Sequence, residues 1–324
     1  MFDDELTITV QAGPGGNGCD SYRRRADRKR VPDGGDGGSG GSVILKVDPQ
    51  TGSLSGLKSK RVFEAQRGSH GMGGNRYGRN GKDAIVKVPC GTTVFNKRDQ
   101  LLVRDLVTPN EEVAVVRGGK GGYGNHRGLP ITKGEVVAPL ELFLSFKIIS
   151  DICLVGVPNS GKTALLKRLT GAGVTQTDYP FATKTPQLGT YQDDRSAYHI
   201  CDLPSIYGAS SEGRGLGTYY LKHLERTRLI FFVLDTECKF VSDIQSGFEM
   251  LLKTVGEVNA QALARPRLVV VNKVDLLQKR RLEKKLLPKG EKVFLVSVLK
   301  GDGLDRLMEA AKTELEGSHV TSVQ

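Results

Sequence analysis

Glycines recur at intervals of three along the first 130 residues, a pattern that narrows the backbone more than any other in the chain. The runs are Gly13 and Gly16; Gly15 and Gly18; Gly34, Gly37 and Gly40; Gly35, Gly38 and Gly41; Gly68, Gly71 and Gly74; and Gly118, Gly121 and Gly124. A polyproline II helix has three residues per turn, so this period puts glycines on one face, where a second backbone can approach closely. Each run is far too short for a collagen trimer. The pattern therefore predicts several short extended glycine helices of one chain packed side by side, with a flexible linker as the alternative. Strand-like segments at Thr7–Val10, Val43–Val47, Ala84–Val88 and Val113–Val116 interrupt the runs, which favours an ordered small domain. Of 41 glycines in the 324 residues, 25 lie before residue 130, so the pattern belongs to one part of the protein.

From Ile149 the texture changes. Apolar runs at Ile152–Val155, Tyr198–Cys201, Leu229–Leu234, Leu268–Val271 and Val293–Val296 read as strands. Helical patterns fall between them, such as Ile244, Phe248, Leu251, Leu252 and Val255, and at the end Leu304, Leu307, Met308, Ala311 and Leu315. Strand runs with little alternation imply a sheet covered on both faces, hence an α/β doubly wound domain. The expected division is a glycine-rich domain over 1–147, an α/β domain over 148–317 and a polar tail over 318–324.

Residues Gly156–Thr163 read GVPNSGKT, between the apolar run Ile148–Val155 and the helical pattern Ala164–Leu169. Strand, loop and helix in that order make the pattern a phosphate-binding loop, or P-loop. Gly156, Pro158, Asn159, Ser160 and Gly161 form a turn in which the backbone N–H groups, Pro158 having none, converge at a helix N-terminus. Lys162 adds a point charge and Thr163 a Mg²⁺ ligand. The nucleotide base is read from Asn272-Lys273-Val274-Asp275 at the end of the Leu268–Val271 strand, beyond which ligands bind in such sheets. The two acceptors of the Asp275 carboxylate match the N1–H and N2–H₂ donors of guanine, whereas adenine would leave the charge unpaired. The Lys273 stem can lie over the base, and Asn272 can tie this loop to the P-loop. Three further elements follow in order. Thr183 is a candidate switch threonine for Mg²⁺ and the γ-phosphate. Asp202 is a candidate Mg²⁺-side carboxylate acting through water. Ser297-Val298-Leu299 would give a backbone N–H to guanine O6.

The net charge of +11 is uneven: residues 1–150 hold 23 Lys/Arg against 16 Asp/Glu, and the remainder 24 against 20. Arg23, Arg24, Arg25, Arg28, Lys29 and Arg30 form a cluster able to track a nucleic-acid backbone, or simply a solvated loop of charges. Five cysteines, Cys19, Cys90, Cys153, Cys201 and Cys238, form no C-x-x-C pair, which argues against a disulfide framework or a zinc site. No stretch approaches the ~18 apolar residues of a membrane span, and the acidic, strand-like start reads as neither anchor nor signal peptide.

Over nearly its whole length the chain resembles the Obg family of GTPases. The first part is similar in AGPGGNGCDSYRR (12–24), DGGDGGSGGSVIL (33–45), HGMGGNRYGRNGKD (70–83), VPCGTTV (88–94) and VRGGKGGYGN (116–125). The second is similar in LVGVPNSGKTALL, TDYPFATKTPQLG, DLPS, GRGLGTYYLKHLERTR and NKVD. The resemblance implies a GTPase using GTP/GDP and Mg²⁺ that visits the large ribosomal subunit during its assembly and meets its rRNA through the glycine-helix domain. A monomer in the cytoplasm is expected, or in an organelle matrix if a transit peptide has been removed.

Departures from the family pattern shape the expected activity. Where the family has D-x-P-G the chain has Asp202-Leu203-Pro204-Ser205; Ser205 keeps an N–H but restricts φ. Ile206 follows, where many small G proteins carry a water-orienting Gln, and no residue is identified that positions the attacking water. Slow hydrolysis is expected. A GTP-binding but non-hydrolysing RNA-docking module, and a GTP-dependent stress or nucleotide sensor, remain the alternatives. The connector through His126–Pro139 is more direct than is usual in the family, and the pI of about 9.4 exceeds that of many bacterial members.

Overall fold

The computed structural model describes residues 4–128, 130–171, 185–193, 196–206, 216–277 and 287–317. These form two compact units, one ending at Phe146 and the other starting at Lys147.

The first unit contains a five-stranded sheet of β1 (Glu5–Gln11), β5 (Val62–Glu64), β7 (Thr92–Asn96), β8 (Leu102–Leu106) and β10 (Leu140–Phe146), in the order β5-β1-β10-β7-β8. A three-stranded sheet runs β6-β4-β9, from β4 (Val43–Val47), β6 (Ala84–Val88) and β9 (Glu112–Val116). Each half-buried strand turns every second side chain inward: Leu6, Ile8 and Val10 on β1, and Val43, Leu45 and Val47 on β4, are buried. A separate hairpin pairs β2 (Tyr22–Arg24) with β3 (Arg30–Pro32).

The glycine runs lie in extended segments that make no ladder of their own and bond to each other instead. Residues 34–41 are central. Gly41, Gly38 and Gly35 accept from the N–H groups of Gly13, Gly16 and Cys19 at 2.9, 2.8 and 3.0 Å. The N–H groups of the same three glycines donate to Gln66, Ser69 and Met72 at 2.8, 2.9 and 3.0 Å. Gly37 and Gly40 donate to Gly122 and Gly119, each at 2.8 Å. The period of three is thus the period at which one segment meets the next. A β-carbon at Gly37 would stand 2.0 Å from the Gly16 carbonyl oxygen, and one at Gly40 1.7 Å from that of Gly13. Close approach, not left-handed backbone, is what requires glycine there. Gly74 is the exception: with φ of +72° and nothing near a would-be β-carbon it forms a turn. The bundle is continued instead by Gly78 and Gly81, whose N–H groups reach Asp36 and Ser39 at 2.8 Å each.

One segment expected as connector belongs to this bundle. Thr132 and Glu135 donate to Tyr123 and Lys120 at 3.0 and 2.9 Å and accept from Gly18 and Gly15 at 3.1 and 2.9 Å. A β-carbon at Gly134 would lie 2.1 Å from the Gly15 carbonyl oxygen.

The second unit is a six-stranded sheet in the order β12-β13-β11-β14-β15-β16: β11 (Ser150–Gly156), β12 (Gln187–Gln192), β13 (Ala197–Asp202), β14 (Thr227–Asp235), β15 (Arg267–Asn272) and β16 (Val293–Leu295). All pairings are parallel except that of the edge strand β12 with β13. One face packs Ile152, Leu154, Phe231 and Val270 against α1 (Lys162–Thr170) and α4 (Leu304–Gly317). On β14, Phe232 meets Phe248 of α3 (Ile244–Val258) edge-on, with ring centroids 5.5 Å apart. Helices over a parallel sheet explain why its strands read as continuous apolar runs. The family-like stretch ending at Arg228 secures the start of β11. His223 Nδ1 accepts from Ile148 N–H at 3.2 Å, Ser150 and Thr227 hydroxyls meet at 3.0 Å, and Arg228 donates to Asp151 at 3.0 Å.

Gly37→Ala is expected to destabilise the first unit by more than about 2 kcal/mol, because backbone must move to admit the methyl group. Gly52→Ala, with open space around it, should stay within about 0.5 kcal/mol. Denaturant titration of both variants measures the difference.

Candidate functional site

In the parallel sheet the order reverses at β11, and the crevice beyond such a switch point is where ligands bind. β11 ends at Gly156 and α1 starts at Lys162, so the GVPNSGKT loop spans that point. Asn159 and Gly161 adopt left-handed backbone, φ +60° and +91°. At Gly161 a β-carbon would also lie 2.2 Å from Asn272 Nδ2.

Lys162 is buried. Its ammonium donates to the carbonyls of Gly156 and Val157, each at 3.0 Å, and to Ser205 Oγ at 2.8 Å. Burial pushes it down to about 8, against the opposing pull of Asp202 and Asp235. Asp202 ends β13, fully buried, and its Oδ2 accepts from Thr163 Oγ1 at 2.6 Å. Among the described residues its Oδ1 has no hydrogen-bond partner. Burial pushes the carboxyl up to about 6, with Lys162 and the Thr163 hydroxyl pulling the other way. A buried carboxylate oxygen without a donor, next to a hydroxyl, is a hard-oxygen pair that fits Mg²⁺, an ion usually completed by water and phosphate.

The Asn272–Asp275 segment follows β15 and is joined to its surroundings by side chains. Asn272 Nδ2 donates to the Ser160 carbonyl at 3.0 Å, and its Oδ1 accepts from Val298 N–H at 3.1 Å. One amide thus ties three loops together. Ser297 Oγ donates to Asp275 Oδ1 at 2.6 Å and fixes the carboxylate. Of the three expected guanine-loop amides, that of Ser297 goes to the Asp302 carbonyl and that of Val298 to Asn272. The Leu299 N–H meets no acceptor among the described residues, and its side chain is exposed.

Two acidic residues not singled out in the sequence hold the lysine. Lys273, at φ +63°, pairs with Asp235 at 3.1 Å and Glu237 at 2.5 Å. Burial works against its charge, and the two carboxylates more than offset this, leaving it raised. The available signal was position: Asp235 ends β14 directly opposite Asn272.

The segment after Asp202 lies along β11. Leu203 N–H donates to Leu154 at 3.2 Å and Ile206 N–H to Gly156 at 3.1 Å, with Leu203, Pro204 and Ile206 buried. Thr183 and the tail 318–324 lie outside the described residues. In the first unit, Arg23 and Arg24 stand on β2 and Arg30 on β3, with Arg25, Arg28 and Lys29 in the turn between them, all exposed. The basic cluster thus lies on a hairpin.

Residues 3–134 match the family described as GTP1/OBG, and residues 151–273 match the one described as 50S ribosome-binding GTPase. GTPase Obg of Chlorobaculum tepidum is 37% identical over 318 residues, covering 95% of this chain and 94% of that protein. GTPase Obg of Protochlamydia amoebophila is 38% identical over 323 residues, covering 95% and 96%. The chain belongs to the Obg family of GTPases. Among the described residues of this Obg-family chain, no helix is long and apolar enough to cross a membrane.

Asn272→Ala leaves the Ser160 carbonyl and the Val298 N–H without their side-chain partner. A loss of about 2–4 kcal/mol in the stability of the second unit is expected. Hydrogen exchange at Val298 and denaturant titration read it independently.

Proposed function

We propose that the chain is a Mg²⁺-dependent, slow GTPase acting in assembly of the large ribosomal subunit, whose nucleotide state governs docking of the glycine-helix unit on rRNA. One observation carries the nucleotide part: Lys162, Asp202 with an oxygen unpartnered among the described residues, and the Asn272–Asp275 loop lie at or beyond the carboxyl ends of β11, β13 and β15, and the Asn272 amide ties its loop to the P-loop. In this reading Lys162 and the loop amides neutralise the phosphates. Thr163 and Asp202, with Thr183, hold Mg²⁺, which when bound neutralises charge building on the transferred phosphoryl group. Asp275, oriented by Ser297, accepts from guanine N1–H and N2–H₂. The Leu299 N–H is left to donate to O6. Lys273, with its ammonium held by Asp235 and Glu237, presents its stem to the base.

The ribosomal part rests on the family description and on surface chemistry. The β2–β3 hairpin carries six exposed basic residues and the exposed Tyr22, and Tyr77 and Tyr123 of the same unit are exposed as well. Arginine for phosphates and tyrosine faces for unpaired bases suit RNA. The bacterial relatives support a cytoplasmic setting. A second reading, GTP binding without turnover, is favoured by the Ser205–Lys162 bond and by Ile206, which is buried where a water-orienting side chain would have to reach out. Single-turnover hydrolysis with and without large subunits separates the two. Phosphate release in neither condition selects the second.

Asp275→Asn exchanges an acceptor pair for an acceptor and a donor. GTP affinity should fall at least about 100-fold, with xanthosine triphosphate gaining; unchanged GTP affinity in a calorimetric titration refutes the guanine assignment. Neutralising Arg23, Arg28 and Arg30 together should reduce the salt slope of large-subunit binding by about 2 to 3. A slope equal to that of the unaltered protein removes the hairpin from the interface.

A further inference from the structure

An ammonium group has three protons to donate, and each of those on Lys162 has a partner within the protein. Two go to the Gly156 and Val157 carbonyls of its own loop, and the third meets Ser205 Oγ at 2.8 Å. The first two partners are backbone atoms of the turn that Lys162 closes. Among the described residues Ser205 is the one side chain, and it belongs to a different segment, three residues beyond Asp202. Backbone bonds on either side hold it in place, from Leu203 to Leu154 at 3.2 Å and from Ile206 to Gly156 at 3.1 Å.

In nucleotide switches the segment after the Mg²⁺-side carboxylate is the one ordered by the terminal phosphate. A P-loop lysine serves the β- and γ-phosphates. GDP presents the first of these to Lys162 and GTP presents both; a partner on the segment that the terminal phosphate orders competes with the second, and so weighs more heavily on GTP. We propose that Ser205 is a nucleotide-specificity residue: its hydroxyl competes with the terminal phosphate for Lys162 and tilts the chain's preference toward GDP. The inference rests on the guanine-nucleotide reading above. It assigns to the hydroxyl an effect separate from the restriction of φ that any non-glycine residue brings at this position.

The test measures Kd for GDP and for a non-hydrolysable GTP analogue, in Mg²⁺, with the full chain and its Ser205→Ala and Ser205→Gly variants, whose unfolding midpoints establish that each is folded. Alanine removes the hydroxyl and keeps the φ restriction. The ratio of analogue Kd to GDP Kd should fall about three- to ten-fold in Ser205→Ala, the span of one net hydrogen bond. Glycine should lower it at least as far. A ratio unchanged or raised in Ser205→Ala overturns the proposal; so does a fall confined to Ser205→Gly, which assigns the effect to backbone freedom. If the unaltered chain binds neither nucleotide, the guanine reading fails and takes this inference with it. If it binds both and the ratio does not move, only this inference fails.

Discussion

A buried backbone N–H or C=O left without a partner costs about 1–3 kcal/mol, and the first unit satisfies that demand largely without helices. Polyproline II segments make no internal hydrogen bonds, so each must find its partners in a neighbour. The neighbour has to come within about 3 Å of donor to acceptor, which a side chain in the way prevents. Glycine every third residue follows from this: Gly37 and Gly40 turn toward backbones that a β-carbon would strike at 2.0 and 1.7 Å. The bundle is consequently interdependent, since residues 34–41 serve several segments at once. It also orients the basic hairpin. Ser21 accepts from Asp33 at 2.8 Å, Asn125 accepts from Gly34 at 2.8 Å, and the same Asn125 donates to Asp20 at 2.7 Å. The arginines are thereby carried on a braced support rather than a loose loop.

In the second unit the ladder of a parallel sheet meets the same demand until the strands stop. At that edge, side chains take over. Asn272 satisfies a carbonyl of one loop and an amide of another, while Lys162 and Asp202 are buried charges that each lean toward neutrality, down to about 8 and up to about 6. Each is only partly compensated by the other, and among the described residues Asp202 keeps one oxygen without a partner. A phosphate next to Lys162 and a cation next to Asp202 would each relieve one of these mismatches. Ligand affinity and local stability are thus coupled by linkage.

Much of this was legible in the sequence where a pattern has one physical cause. The glycine period, the continuous apolar strands and the strand-loop-helix setting of GVPNSGKT each correspond to an observed arrangement. What stayed hidden depends on tertiary partners. β8 reads Leu-Val-Arg-Asp-Leu and exposes four of its five residues, so no alternation marks it. The 132–135 segment contains a single glycine and joins the bundle only because Gly15 and Gly18 lie opposite. Cys153 and Cys201, 48 positions apart in sequence, sit in register on β11 and β13. The use of the Val298 N–H by Asn272, which leaves the Leu299 N–H as the one of the three without an acceptor among the described residues, could not be read from either motif alone.

Binding and switching draw on different parts of this architecture. The P-loop, the Asn272–Asp275 segment and the Ser297–Leu299 loop are locked to one another by buried bonds from Asn272 and Ser297. Those bonds involve neither Asp202 nor Ser205. The segment from Asp202 to Ile206 meets the P-loop and β11 through Thr163 to Asp202, Lys162 to Ser205 and the two backbone bonds to Leu154 and Gly156, with Leu203, Pro204 and Ile206 buried. A group that rearranges this segment therefore need not disturb the bonds that join these three loops. Ile206, packed inward, offers no polar atom to a water at the γ-phosphate. A macromolecular partner that accelerates hydrolysis would have to supply that group itself.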